Sequence, residues 1–386
     1  MRKLILGALV VFLLVFAAAI PVYAASDQRK AEIKMGRDAV EEVEQGQKFV
    51  TDPQIVERVD RIGQAVAKMA NTETVSASYG NSNVYQFDYK FKIVDDKDVN
   101  AFSLPGGFIY VNKGLLDYCQ SDHELAGVLA HEIAHAAHHH MTYLLRQESK
   151  LDGQIALLLL AGMLTKVDAS DLGNLLLGAQ LVRIARSSGY GQKAEADADT
   201  AAVIYIEKAG YNPVGMLTFL ERLAHDYGAT PNQDLGILQT HPSPMDRCKA
   251  VESKIKSLGL PLNRRAVMNA LKAVTETETV GEQEIVKVKL GDSMLFEPAP
   301  IQDALTSEQR AQAIATKVNQ ALDTEPVVRE VTVSSDGCTV MVRGEPIIMV
   351  TPQDAGLSGK SVDQVAGDAA MVLRRAIWHE MIGRMY

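Results

Sequence analysis

Of all the residues in this chain, those of the run His131-Glu132-Ile133-Ala134-His135 have the types and spacing that most directly imply chemistry. Side chains four apart lie on one face of a helix about one turn apart, so both imidazoles can grip a single ion. Glu132, adjacent to the first imidazole, then points at a water held by that ion. Val128, Leu129 and Ile133 supply the apolar spacing of the helix itself. A catalytic zinc wants three protein ligands and one open position, so a third ligand must come from another element. Glu195 opens a later helix, and Asp199 falls one turn further on the same face, where it can accept the free ring N–H of a liganding histidine.

The elements that must position these groups can be read around them. Ser121-Asp122-His123-Glu124 is a capping box that starts the motif helix with Ser121 at its N-cap. The second helix is expected over Lys193 to Lys208, closed by Gly210 and stopped by Asn212-Pro213. Upstream, Ala31 to Gln47 and Gln54 to Met69 read as amphipathic helices, and Phe87 to Val94 and Gly107 to Val111 as strands, with Pro105-Gly106-Gly107 at a turn. Two very apolar segments, Ile155 to Leu164 and Leu172 to Val182, are too short to cross a bilayer and read as buried helices, with a membrane-touching hairpin as the alternative. Beyond Leu258 the character changes. Glu276 to Glu284 is polar and acidic. After it come a strand near Ile285 to Leu290, a helix over Ser307 to Leu322, strands at Val327 to Val333, Thr339 to Arg343 and Pro346 to Val350, and a helix over Val362 to Arg384. The whole predicts an α+β protein. A mostly helical domain with a small sheet spans residues 25–275 and a small α/β domain spans 281–386.

With 386 residues, 47% apolar and 23% charged, the composition is that of a globular protein with a real core. The formal net charge of −9 lacks the basic footprint that nucleic-acid binding requires, so no nucleic-acid partner is expected. Met1-Arg2-Lys3, the apolar run Leu4 to Ile20 and the small residues around Ala24 read as a cleaved secretory leader over residues 1–24, with an uncleaved membrane anchor as the alternative; either predicts work outside the cytoplasm, periplasmic, secreted or membrane-associated. The three cysteines, Cys119, Cys248 and Cys338, form no CxxC pair and suggest neither a zinc ribbon nor a disulfide scaffold.

A metzincin continuation of the motif would need Gly at 138 and His at 141; the chain has His138 and Met141, which excludes that class. Instead, His131 to His135, Glu195-Ala196-Asp197-Ala198-Asp199, and Thr240-His241-Pro242 with Arg247 resemble the gluzincin metallopeptidase family that includes the CAAX prenyl proteases, HtpX and BepA. The likeness extends to Asn100-Ala101-Phe102, Leu104-Pro105-Gly106-Gly107 and Val111-Asn112, loosely covering residues 30 to 260, and the leader-bearing layout is similar to the BepA branch. Tyr190-Gly191-Gln192 stands where members commonly carry Tyr-Ser-Arg, so no role of that arginine carries over.

The resemblance implies a zincin-type fold holding one zinc on His131, His135 and Glu195, with Glu132 as the base in peptide hydrolysis. It places His241 near the ion, either at a latent fourth position or stabilising the transition state. It also implies that Asn100, Ala101 and the strand after them bind substrate backbone by strand addition. Polypeptides are the expected substrates, unfolded or misassembled envelope proteins in particular. The competing readings are a chaperone-like or latent binder of misfolded chains whose zinc is plugged by His241, and a purely structural zinc site, which would favour four closed, cysteine-rich ligands. The final domain resembles loosely, through the helix at Ser307 and the run Val350 to Leu357, a periplasmic module of some mechanosensitive-channel proteins, and predicts an envelope or membrane partner. His138, His139 and His140 are expected to point to different sides of a helix without converging, as surface or packing residues.

Overall fold

The computed structural model describes residues 27–149, 191–229, 237, 241, 244–280, 283–302 and 304–382. The leader and the two apolar segments between Ile155 and Val182 lie outside these residues. Among the described residues no helix is long and apolar enough to cross a membrane. The chain divides into two compact units, the first built from residues up to Leu260 apart from Glu221–Gly228, the second from Pro261 onward together with Glu221–Gly228.

In the first unit, helix α1 covers residues 27–44 and α2 covers Pro53–Thr72, its N-cap Asp52 accepting from Gln54 N and Ile55 N. Val59, Ile62, Val66 and Ala70 form the buried face of α2, the pattern its apolar spacing predicts. Strands β1 (Lys90–Val94), β2 (Ala101–Leu104) and β3 (Phe108–Asn112) make a sheet in the order β1-β3-β2, with β1 parallel and β2 antiparallel to β3. β2, whose four residues are all buried, was not among the strands read from periodicity, though the resemblance implied a strand after Asn100, and it occupies a sheet edge. After α3 (Lys113–Tyr118) comes α4 (Asp122–Ala137), the motif helix. Ser121 is its N-cap and accepts from Glu124 N at 3.2 Å, and the Glu124 carboxylate reaches back to Gln120 N at 2.7 Å.

α4 is buried from Glu124 through Ala136, and α2, β2 and α6 (Gly191–Lys208) all pack against it. Ala126, Ala130 and Ala134 recur every four residues in α4, and Ala194, Ala198 and Ala202 do so in α6, all fully buried. Small side chains at that spacing let two backbones approach closely, which brings the polar groups beside them within bonding reach. Gly127 serves α7 (Val214–Ala229) in the same way: a Cβ there would stand 2.8 Å from Met216 Cα. α8 (Pro244–Ser257) packs on α6.

The second unit contains the hairpin sheet β4 (Ala273–Val280), β5 (Gln283–Leu290) and β6 (Ser293–Phe296), and a second antiparallel sheet of β7 (Val331–Val333), β8 (Thr339–Val342) and β9 (Glu345–Met349). α9 (Ser307–Asp323) packs on β4, β5 and β9. α10 (Pro352–Ser358) leads to α11 (Val362–Ile382), which packs on β6, β7 and β8. Val288, Phe296, Val318, Val340, Ile348 and Leu373 lie at the centre of its core. The acidic stretch expected to separate the domains is instead strand: β4 pairs with β5 from Ala273↔Leu290 to Val280↔Gln283, and the unit begins at Pro261, ahead of the expected boundary. Val274 to Thr279 are all exposed, and the acidic side chains of β4 meet lysines across the hairpin, Glu276 with Lys289 and Glu278 with Lys287.

Candidate metal centre

α4 and α6 together deliver the site. His131, His135 and Glu195 converge, and the segment before α8 adds His241; all four are buried. His131 Nε2 lies 3.0 Å from His135 Nε2, 3.3 Å from Glu195 Oε2 and 3.3 Å from His241 Nδ1, and His135 Nε2 lies 3.4 Å from Glu195 Oε1. Metal–nitrogen bonds of about 2.0–2.1 Å at tetrahedral angles put ligand atoms about 3.3 Å apart. The donor atoms are therefore spaced like the corners of a tetrahedron that would enclose a small cation. The donor set, imidazole plus one carboxylate, suits zinc.

Each neighbouring side chain has a place in this arrangement. His131 Nδ1 lies 2.9 Å from Asp199 Oδ1, so the far nitrogen of that ring donates to the carboxylate one turn beyond Glu195. Arg247, buried in α8, holds Asp199 from the other side. Its Nε donates to Oδ2 at 2.9 Å and its Nη2 to Oδ1 at 2.8 Å, while Nη1 lies 3.2 Å from Glu195 Oε2. Glu132 has Oε1 3.3 Å from His241 Nε2, whereas its Oε2 is buried with no hydrogen-bond partner among the described residues. A buried, unpartnered carboxylate oxygen is costly, and at a reactive centre it is where a base would receive a proton.

The electrostatics follow from two carboxylates held out of water. Burial pushes the Glu132 and Glu195 carboxyls up, but His241 together with the neighbouring histidines, and for Glu195 also Arg247, outweighs it, holding Glu132 down to about 2 and Glu195 well below its ordinary value. Burial alone would likewise make His241 neutral. The Glu195 and Glu132 carboxylates reverse that and raise it to about 10. His135 is pushed down to about 3, chiefly by burial, which leaves the neutral ring that ligation requires.

Asn100 is buried, its carbonyl accepting from Asn112 N at 2.9 Å, and Ala101 opens β2 at the sheet edge beside α4. Ile237 N donates to Val99 O at 3.0 Å, so the segment carrying His241 is tied to the start of that edge. Cys119, Cys248 and Cys338 are all free thiols.

The structure corrects the expectation for the three adjacent histidines. α4 ends at Ala137, His139 takes a left-handed φ of 60°, and a new helix, α5 (His140–Ser149), begins at once. The three residues do not share one helix, and all three are buried. His138 and His140 converge on Asp197 of α6, with His138 Nδ1 hydrogen-bonded to Oδ2 and His140 Nε2 at 3.0 Å from the same oxygen. His139 turns away to Glu32, 2.8 Å from its Nδ1, and to Asn83 O. Asp197 and Arg247 were not singled out for these roles. The signal for Asp197 was its place between Glu195 and Asp199, two residues from each.

A family model for peptidase family M48 matches residues 53–255, more than half of the chain. The chain belongs to peptidase family M48. Within this metallopeptidase family it is similar to the beta-barrel assembly-enhancing protease of Escherichia coli strain K12, 25% identical over 223 residues, which are 56% of this chain and 42% of that protein. It is also similar to the metalloprotease LoiP of the same organism, 27% identical over 200 residues, covering 52% of this chain and 75% of that one. The mitochondrial metalloendopeptidase OMA1 of Arabidopsis thaliana is 30% identical over 174 residues, covering 45% of this chain and 33% of that one. The chain thus spans less than half the length of two of these relatives. Residues 287–379 match a domain of unknown function, DUF8459.

Proposed function

We propose that the chain is a zinc-dependent endopeptidase acting on unfolded or misassembled proteins of the cell envelope. The observation that carries the reading is the convergence of His131, His135 and Glu195 at tetrahedral spacing with the free oxygen of Glu132 beside them. His131, His135 and Glu195 would hold the ion, and Asp199 would orient the His131 ring. Zinc bound there would polarise the scissile carbonyl and lower the pKa of a water toward ~7. Glu132 would take the proton of the attacking water at Oε2 and pass it to the leaving amine. Asn100, Ala101 and the edge of β2 would receive the substrate backbone as an added strand, a mode that reads main chain more than sequence. The expected leader over residues 1–24 and the names of the bacterial relatives support an envelope location, and the second unit, residues 261–386, would supply the envelope or membrane partner.

The experiment is hydrolysis of casein, with zinc content measured alongside and Glu132→Gln as control. Zinc-dependent cleavage that disappears in Glu132→Gln supports the reading, and full-rate cleavage by a zinc-loaded Glu132→Gln protein would refute the base assignment. One feature favours a latent variant of the same reading: His241 Nδ1 lies 3.0 Å from both Glu195 oxygens and belongs to the ligand cluster itself. Were His241 a plug on the open position, His241→Ala would cut faster than wild type. A transition-state role predicts slower cutting.

A further inference from the structure

We propose that His140 and Asp197 are positioning residues that fix the tautomer and orientation of His135, through the chain His135–His140–Asp197. The inference rests on His135 being a metal ligand, as proposed above. Ligation through Nε2 leaves the proton of a neutral imidazole on Nδ1, and the group that accepts that proton sets the ring's orientation and basicity. For His131 the acceptor is Asp199, at 2.9 Å. For His135 it is another imidazole: His140 Nδ1 lies 2.8 Å from His135 Nδ1. Two ring nitrogens facing each other at that distance need one donor and one acceptor. With His135 donating, His140 must accept at Nδ1 and carry its own proton on Nε2, where Asp197 Oδ2 stands 3.0 Å away to receive it.

Asp197 is held so that only this arrangement fits. Its Oδ1 accepts from Ser78 N, from Ser78 Oγ at 2.9 Å and from Tyr79 N at 3.3 Å, which turns Oδ2 toward His138 and His140. The break between α4 and α5 makes the geometry possible, since His140 can return toward His135 only because His139 adopts a left-handed backbone. The two ligands from α4 are thus supported by two carboxylates of α6, one directly and one through an intervening ring.

The same three groups, His138, His140 and Asp197, could instead hold a second cation. Hydrogen bonding is favoured because both histidines share a single carboxylate oxygen and His140 has a proton-sharing partner on each ring nitrogen.

The test is zinc affinity of the full chain, measured by chelator competition, for wild type, His140→Phe, His140→Asn and Asp197→Asn. Phe keeps a flat ring, slightly larger than the imidazole, and removes both nitrogens, so it should weaken zinc binding ~10–100-fold. Asn places an acceptor where Nδ1 stood and should recover most of that loss, the reverse of the order that mere packing would give. In Asp197→Asn the three donors at Oδ1 hold the amide oxygen, so the NH2 faces His140 Nε2. The NH2 opposes the His140 Nε2 proton, which only Tyr79 O at 3.2 Å would still accept, so the tautomer that serves His135 is disfavoured and zinc weakens by at most the ~10–100-fold expected of His140→Phe. If one variant fails to fold, the others still decide the question. Wild-type affinity in both His140→Phe and Asp197→Asn overturns the relay and leaves the peptidase reading standing. Two zinc ions per wild-type chain, one of them lost in the variants, overturns it in favour of a second metal site. No zinc in the wild type at all brings down both proposals.

Discussion

Among the described residues Arg247 is the one arginine in the metal centre, and removing it should cost the first unit much of its stability. Its guanidinium is buried, makes a two-pronged contact with Asp199 and stands 3.2 Å from Glu195, so it offsets two carboxylates that are themselves almost wholly out of water. Breaking a buried pair by removing one partner typically costs about 3–5 kcal/mol, because the remaining charge is stranded. Arg247→Leu leaves Asp199 with one donor from the ring of His131 and no cation beside it. For a domain of this size each kcal/mol moves the melting temperature by about 2–4 °C, so the loss should lie between roughly 6 and 20 °C. Arg247→Lys keeps the charge but not the planar fork and should recover only part of it. Differential scanning calorimetry of the chelated protein isolates this effect from metal binding. A double-mutant cycle with Asp199→Leu should show the two losses to be far from additive. A shift under 2 °C in Arg247→Leu, or additive losses in the cycle, would refute the view that this pair holds α6 and α8 together at the site.

Further outcomes follow from the same geometry. In the second unit Asp354 accepts from Arg310 at 2.6 and 2.9 Å, from Ala299 N and from both Thr351 N and Oγ1; burial raises its pKa, but these donors, Arg310 foremost, bring it below its ordinary value. A carboxyl depressed in the folded state contributes stability that is fully present above its unfolded pKa of about 3.9 and is lost as pH falls through the folded value. The second unit should therefore lose stability below about pH 4, and Asp354→Asn should show a smaller acid-induced decline from a starting point about 3–5 kcal/mol lower, read by urea titration across pH. Gly80 has φ +84°, and a Cβ there would fall 2.1 Å from His138 O. Gly80→Ala should cost more than the ~1–2 kcal/mol of a left-handed alanine and, by displacing the His138–His140 turn, should also weaken zinc binding. Ser121→Ala removes the acceptor for Glu124 N and should cost about 1 kcal/mol in thermal unfolding, with no change in zinc stoichiometry.

Much of the site was legible because helical periodicity is rigid: once His131 and His135 lie four apart on a helix, their convergence follows, and Glu195 and Asp199 repeat that spacing on a second helix. The caps at Ser121 and Gly210 were legible for the same local reason, since Gly210 adopts the left-handed φ of 84° that closes α6. What escaped depended on a backbone no periodicity encodes. His139 takes a positive φ although it is not glycine, held there by Glu32 and Asn83, and that one residue turns three apparently divergent histidines into a cluster. β2 escaped because all four of its residues are buried, so it shows no alternation. β4 was legible in principle: Thr275 to Thr279 alternates β-branched and acidic residues, but its charge suggested a linker. Arg247 drew attention only as part of a motif, since nothing in its local sequence says that it meets Asp199 across two helices.

The most direct measurement is the zinc-edge X-ray absorption spectrum of the purified full chain. The account predicts one zinc per chain with only nitrogen and oxygen neighbours at about 2.0–2.2 Å, imidazole scattering from at least two histidines, and loss of an oxygen neighbour in Glu195→Ala. Sulfur scattering at about 2.3 Å, or a wild-type spectrum unchanged in Glu195→Ala, would contradict a site built by His131, His135 and Glu195.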